Sequence, residues 1–351
     1  MSYIKKPKIS HPELPRNDIG LTVRDYEGAL STLCAGCGHD SISNAIMQAY
    51  FELSLEPHRV AKVSGIGCSS KTPTYFLGGA HGFNSVHGRM PSIATGANAG
   101  NRELQYIGVS GDGDSLSIGL GQFVHAIRRN VNMMYLIENN GVYGLTKGQF
   151  SASADKGSTA KKGDGNPYSP IDPVLLAMSL GCTFVARGFS GDKEHLVPLI
   201  KSAIKHSGFA MLDIISPCVT FNDHEGSTKS YAHTRAHMRE TVYADFTSEH
   251  EEIISQVSPG EYKRITMHDG SQVGFKRVDE QYDPTDRLAA LNYIEQHRAK
   301  GEVVTGLLYL EPSTTDMHDT LGTSQQAMAT LPYEKLNPGA KAMERIQSRW
   351  R

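Results

Sequence analysis

Between Val60 and Cys218, short runs of β-branched and apolar residues alternate with helical patterns, and nearly every run ends in glycine or a polar turn. Strands that alternate with helices in this way fold as βαβ units, which makes the strands parallel and covers both faces of the sheet with helices. The pattern predicts strands at RVAKVSG, LQYIGVSG, NMMYLIEN, CTFVARG and FAMLDIIS, and helices near SLSIGLGQFVHAIRRN, DPVLLAMSLG and KEHLVPLIKSAIKHS. The expected fold class is therefore α/β, a doubly wound, mostly parallel sheet. Four polar motifs stand where strands end: GIGCSS, GDGDS, NNGVYG and SPCVTFND. Ligands of open α/β sheets bind outside the carboxyl ends of the strands, so these motifs should converge on one crevice. The polar, aperiodic segment from Gly144 to Pro170 reads as a loop over it.

After Cys218 the alternation stops. A helix-like HTRAHMRETVYADF, a hairpin-like YKRITMHDGSQVGFKRV with an Asp-Gly turn, and an amphipathic DRLAALNYIEQHRAKG follow. They read as a C-terminal α+β extension. The division expected is an N-terminal arm over 1–24, a ligand-binding domain over 25–235 and an extension for partner contacts over 236–351. The 351 residues can bury a sizeable core, and a net charge of -2 with 21% charged residues gives no basic footprint, so no nucleic-acid partner is expected. No run approaches the roughly 20 apolar residues of a membrane span. The reading is a cytoplasmic protein without a membrane partner. Five cysteines, an odd number without a secretory pattern, argue against a disulfide framework.

Two groups of residues carry chemistry. GDGDS puts Asp112 between glycines at a strand end and a helix start, where free backbone N–H groups favour a phosphate and a carboxylate fits only with a cation between them. Magnesium with a diphosphate satisfies both, with Asn140 and the Val142 carbonyl of ENNGVYG as further oxygen ligands. An EF-hand loop starting at Asp112 fails, because its fifth and twelfth positions are Leu116 and Phe123. A dinucleotide site lacks the third glycine. The second group is the CxxC pair Cys34 and Cys37, with Cys68 in a glycine-rich turn and Cys218 after a proline. Four thiolates on rigid turns suit an S₄ metal site, zinc or iron-sulfur. Cys182, in an apolar run, reads as core.

GDGDSLSIGLGQFVHAIRRNVNMMYLIENN resembles the thiamine diphosphate motif, and with CAGCGH, GIGCSS, HGRMP, GVYGLTKGQ and SPCVTF, in that order, the chain resembles the beta subunit of 2-oxoacid:ferredoxin oxidoreductases over about residues 25–235. The 2-oxoglutarate branch fits best. The resemblance implies a thiamine-diphosphate-binding fold in which Ile66, Gly67, Cys68, Ser69, His87, Gly113, Asp114, Gly144 and Leu145 contact the cofactor. It implies one [4Fe-4S] cluster on Cys34, Cys37, Cys68 and Cys218, and magnesium on Asp112, Asn140 and Val142. Lys147 of GLTKGQ, a lone cation among small residues, is expected to hold the substrate carboxylate, and the resemblance implies that a lysine there, where pyruvate-type members tend to have a small residue, favours a longer 2-oxoacid than pyruvate. The implied reaction is oxidative decarboxylation of 2-oxoglutarate with coenzyme A to succinyl-CoA, reversible as reductive carboxylation, with electrons passing to ferredoxin. Only the diphosphate-binding half is visible, so an alpha subunit should supply the activating carboxylate, in an α2β2 assembly. Two alternatives stand: a pyruvate or broad-specificity enzyme, and a noncatalytic S₄ metal-binding or electron-transfer subunit. Asp40 and Ser41 read as helix caps, His39 as tuning the cluster surroundings, and Arg89 as a lesser carboxylate candidate.

Overall fold

The computed structural model describes residues 12–159, 164–247, 262–266, 272–277 and 282–350. Six parallel strands form its centre: β1 (Val60–Ser64), β2 (His81–Asn84), β3 (Gln105–Gly111), β4 (Met133–Asn139), β7 (Phe184–Phe189) and β8 (Phe209–Ile215), in the spatial order β2-β1-β3-β4-β8-β7. Between β4 and β7 runs a small antiparallel pair, β5 (Val142–Tyr143) and β6 (Gln149–Phe150). Every residue of β4, β7 and β8 is buried, as required of parallel strands covered on both faces, and this is why their sequences read as continuous apolar runs.

The helices are α1 (Gly38–Glu52), α2 (Met90–Gly100), α3 (Leu120–Arg128), α4 (Pro173–Ser179) and α5 (Lys193–Lys205). Helix α1 packs on α5 over one face of the sheet, and α2 packs on α3. Helix α4 starts where Asp172 accepts hydrogen bonds from the backbone N–H groups of Val174 and Leu175, with Pro173 in the first turn, where its missing N–H costs nothing. Phe123, Tyr135 and Phe209 meet with ring centroids 5.1 to 6.1 Å apart. Each such buried side chain contributes about 1.5–3 kcal/mol.

The structure corrects the sequence reading in several places. The stretch expected as one helix, HTRAHMRETVYADF, is helix α6 (Tyr231–His237) followed at once by strand β9 (Met238–Thr247). Its second half, RETVYADF, is rich in β-branched and aromatic residues, and extended pairing wins. Asp40 and Ser41 are not caps: Cys37 is the N-cap of α1, and both residues lie inside the helix. The expected SLSIGLGQFVHAIRRN helix is broken at Gly119, with a wider turn over Gly113–Ile118 ahead of α3. The hairpin pairs as expected, β10 (Tyr262–Thr266) antiparallel to β11 (Gln272–Arg277), and its Asp-Gly turn lies outside the described residues. The amphipathic segment forms α7 (Arg287–Ala299). It leads into β12 (Val303–Leu310), which lies between β7 and β9, antiparallel to β7 and parallel to β9, so one ten-stranded sheet carries the whole series β10-β11-β9-β12-β7-β8-β4-β3-β1-β2.

Candidate active site

The carboxyl ends of β1, β3 and β4 open into one cleft. Its walls are Ile66, Gly67, Cys68 and Ser69 after β1, Gly111 to Asp114 after β3, and Asn140 with Val142 to Thr146 after β4, joined by His39 from α1 and the exposed His87 from the turn after β2. The residues expected to meet a cofactor or magnesium therefore stand around a single space. Tyr143 closes over Gly113: its hydroxyl donates to the Gly113 carbonyl at 2.9 Å, and a Cβ at 113 would stand 2.5 Å from its ring.

Asp112 lies at the floor, 1% exposed. Its Oδ2 accepts from Gly141 N at 3.0 Å, from Ser153 Oγ at 2.6 Å and from Ser151 Oγ, whereas Oδ1 has only a 3.4 Å approach from Asn140 N. Burial raises the Asp112 pKa, against the lowering effect of the two serines. A buried carboxylate with one crowded and one nearly open oxygen is a donor set that a cation would complete. Asn140 is fixed beside it, with Oδ1 accepting from Val142 N at 3.0 Å and its carbonyl accepting from Asn222 Nδ2 at 2.8 Å. Asp114 turns inward: Oδ1 accepts from Gly88 N and Oδ2 from Ser110 Oγ, both at 2.8 Å, so its carboxylate ties the His87–Gly88 turn to the end of β3. Sequence reasoning missed Tyr143, Ser151 and Ser153. The serine pair two residues apart in FSAS was the one local hint, and the loop around it has no period to confirm it.

Two buried ionisable groups meet between the cleft and α1. His39 Nδ1 lies 2.6 Å from Ser216 Oγ and 3.4 Å from Glu138 Oε2. Burial lowers the His39 pKa to about 4 and pushes Glu138 well above the usual carboxyl range, each toward its uncharged form.

The four cysteines gather on the far side of the Cys68 wall. A Cβ on Gly144 would stand 3.4 Å from Cys68 Sγ and 3.7 Å from Cys218 Sγ, while Thr220 Oγ1 lies 3.6 Å from Cys34 Sγ, and Cys37 N donates to Cys34 O at 3.0 Å. Burial raises the Cys37 thiol to about 12 and also raises Cys68, and nearby Cys218 adds to both. Among the described residues, the one group of three or more His, Cys, Asp or Glu side chains with ligand atoms mutually within 4.8 Å is Asp192, His195 and Glu240, away from this cluster. The four sulfurs are thus more widely spread. Cys182 is core, its sulfur 3.3 Å from the Phe184 and Phe209 carbonyls. Lys147 is not in the cleft wall. It stands exposed, one residue beyond Thr146, in a left-handed conformation with φ 79°.

Residues 65–214 match the family described as thiamine pyrophosphate enzyme, C-terminal TPP binding domain. The chain is 42% identical over 244 residues to the 2-oxoacid:ferredoxin oxidoreductase subunit beta of Saccharolobus solfataricus, an alignment covering 69% of this chain and 79% of that protein. The chain belongs to the 2-oxoacid:ferredoxin oxidoreductase beta-subunit family. As a beta subunit it is part of an oxidoreductase built from more than one kind of subunit. The 2-oxoglutarate oxidoreductase subunit KorB of Mycobacterium tuberculosis is 42% identical over 191 residues, 54% of this chain and 51% of that one. A solved 2-oxoglutarate:ferredoxin oxidoreductase from Magnetococcus marinus, with 2-oxoglutarate, coenzyme A and succinyl-CoA bound, superposes with a TM-score of 0.70 at 32% identity over 86% of this chain and 89% of that chain. The thiamine pyrophosphate match contains the cleft residues of β1, β3 and β4, while Cys34, Cys37 and Cys218 fall outside it. No described helix is long and apolar enough to cross a membrane.

Proposed function

We propose that this beta subunit acts on 2-oxoglutarate, converting it with coenzyme A to succinyl-CoA and CO₂ in a reversible reaction that reduces ferredoxin in the cytoplasm. The observation that carries the reading is the shared wall: Cys68 lines the cleft and, across Gly144, faces Cys218, so a diphosphate cleft and a four-thiol site are one residue apart. When bound, thiamine diphosphate supplies the electron sink for decarboxylation and a cluster the path for single electrons. Magnesium is assigned to Asp112, Asn140 and the Val142 carbonyl, with the crowded Oδ2 of Asp112 held by the serines and Oδ1 left for the ion. Ile66, Gly67, Ser69, His87, Gly113, Asp114, Gly144 and Leu145 enclose the cofactor, Asp114 by fixing the His87 turn.

One [4Fe-4S] cluster is assigned to Cys34, Cys37, Cys68 and Cys218. A cluster is assigned rather than zinc because a cluster beside the cleft can take up electrons one at a time, which redox-inert zinc cannot. Support for 2-oxoglutarate comes from the relatives named for it and from Lys147, whose strained conformation on the loop flanking the cleft fits a residue held ready for a carboxylate. An alpha subunit is assigned the role of covering the cleft and supplying the activating carboxylate, in an α2β2 assembly. The ligand-binding residues are assigned to 25–235, whose sheet β9 and β12 continue, and the rest of 1–24 and 236–351 is assigned to assembly.

The experiment is anaerobic turnover of the chain co-expressed with its alpha subunit, comparing 2-oxoglutarate, pyruvate and a branched 2-oxoacid with coenzyme A and a ferredoxin. Preference for 2-oxoglutarate is expected. Preference for pyruvate would overturn the substrate assignment while leaving the cleft assignments standing, and turnover by the chain alone would overturn the dependence on the alpha subunit.

A further inference from the structure

Behind the floor of the cleft lies a second cavity, with Asn139, Ser153, Asp172, Arg187 and Asp213 among its lining residues. Arg187 of β7, 7% exposed, is clamped between two carboxylates. Its Nη2 donates to Asp172 Oδ1 at 2.6 Å and its Nε to Asp213 Oδ2 at 2.8 Å. The other oxygen of Asp213 accepts from Asn139 Nδ2 at 2.9 Å. Asn139 Oδ1 is then left facing Ser153, whose Oγ lies 2.8 Å from it and 2.6 Å from Asp112 Oδ2. An unbroken line of contacts therefore runs from Asp172 through Arg187, Asp213, Asn139 and Ser153 to Asp112, and Asp213, Asn139, Ser153 and Asp112 are each 2% exposed or less.

The line has a direction. Ser153 has one hydroxyl proton, and Asn139 Oδ1 and Asp112 Oδ2 are its nearest acceptors, with Ser151 Oγ, itself a donor to Asp112, farther away at 3.2 Å, so the two near acceptors compete for it. Asp213, its Oδ2 held by Arg187 Nε, turns Oδ1 to Asn139 and so requires Asn139 to present its NH₂ group, and that donation polarises the Asn139 carbonyl and strengthens it as an acceptor. Asn139 then competes for the Ser153 proton. Less of the negative charge on Asp112 is absorbed by hydrogen bonding, and more of it is available to a cation.

We propose that Arg187 and Asp213 are positioning residues that set how tightly Asp112 holds its divalent cation, acting through Asn139 and Ser153. This rests on the assignment of Asp112 as a magnesium ligand. If Asp213 is replaced by asparagine, Asn139 can turn its amide over and donate to Ser153, which returns the serine proton to Asp112.

The test is calorimetric titration of Mg²⁺ into the chelator-stripped complex with the alpha subunit, at saturating thiamine diphosphate, alongside its melting temperature. Asp213→Asn and Arg187→Met are expected to weaken Mg²⁺ binding by up to about tenfold, the lower end of the effect of losing a partner bonded directly to a ligand, because they act through Asn139 and Ser153, and Asp172→Asn, which leaves Arg187 one carboxylate, to weaken it less. In a Ser153→Ala background the Asp213→Asn effect on Mg²⁺ should vanish, an outcome that a purely structural clamp would not produce. The inference is overturned if Asp213→Asn lowers the melting temperature but leaves Mg²⁺ affinity unchanged, or if its effect persists without Ser153. Should Arg187→Met fail to assemble, the isosteric Asp213→Asn carries the test. Unchanged Mg²⁺ affinity in Asp112→Asn would instead overturn the ligand assignment itself.

Discussion

Replacing Gly65 by alanine tests how the end of β1 is locked to the cleft. A Cβ at position 65 would fall 1.8 Å from Asp114 Oδ2, well inside van der Waals contact, while the Gly65 backbone lies outside the left-handed region, so the penalty is steric. The Asp114 carboxylate is buried and accepts from Gly88 N and Ser110 Oγ, and it cannot retreat while keeping both. Hydrogen bonds to a charged group are worth about 1.5–3 kcal/mol each, so losing two removes about 3–6 kcal/mol. With an unfolding entropy of about 2.1 cal/mol/K per residue over 351 residues, this is a fall in melting temperature of about 4–8 °C where the chain melts as its own unit, and proportionally less where the alpha subunit unfolds with it. Because Gly88 follows His87, thiamine diphosphate affinity should fall as well. The assay is calorimetric melting of the alpha–beta complex, with cofactor titration beside it. In an Asp114→Ala background the obstruction is gone, and Gly65→Ala should cost less than about 1 kcal/mol because the two sites are directly coupled. A single variant that melts like the parent, or a penalty undiminished without Asp114, would refute the reasoning.

Lys147→Ala should raise the 2-oxoacid KM about tenfold, the scale of one charged hydrogen bond, with thiamine diphosphate affinity unchanged. Lys147→Gly should match it in KM yet be more stable than the alanine variant by about 1 kcal/mol, because glycine accepts the left-handed φ without strain; steady-state kinetics and melting check both. Serine at Cys34, Cys37, Cys68 or Cys218 should each abolish visible iron-sulfur absorbance after anaerobic reconstitution, while Cys182→Ser should retain it. For Glu138 the sign follows from its raised pKa: the unfolded chain ionises it above about pH 4.5 and the folded chain only at higher pH, so the wild type loses stability as pH rises from there. Glu138→Gln, which imitates the protonated acid, should therefore melt higher than wild type at pH 8, with the gain shrinking toward pH 4.5.

The strands that form the centre of the sheet were legible because a parallel strand buried on both faces has little choice but to be apolar, as MMYLIEN and FAMLDII are. The cleft was legible for a different reason: its motifs sit where strands end, and the fold brings those ends together. What the sequence concealed was mostly polar. Lys62, inside the strand RVAKVSG, carries no local mark of its burial, yet its Nζ donates to the carbonyls of Pro73, Phe76 and Leu77 at 2.6 to 2.9 Å, and burial lowers its pKa to about 8. Asp112 and Asp114, each beside Gly113, are both buried, and no local pattern says that one meets Ser151 and Ser153 and the other Gly88 and Ser110. The placement of β9 and β12 in the main sheet depends on pairings more than 50 residues apart, which neither periodicity nor turn chemistry encodes.

The position of β12 bears on how the chain is made. Residues Val303–Leu310 insert between β7, ending at Phe189, and β9, and they cannot do so before they are synthesised. At about 5–20 residues per second, the roughly 120 residues from Phe189 to Leu310 take about 6–24 s to emerge. Throughout that interval the buried strand β7 presents a bare row of backbone donors and acceptors, the kind of edge that recruits strands from other chains. Yield of assembled protein should therefore depend on growth temperature and translation rate, and on the presence of a chaperone that shields strand edges.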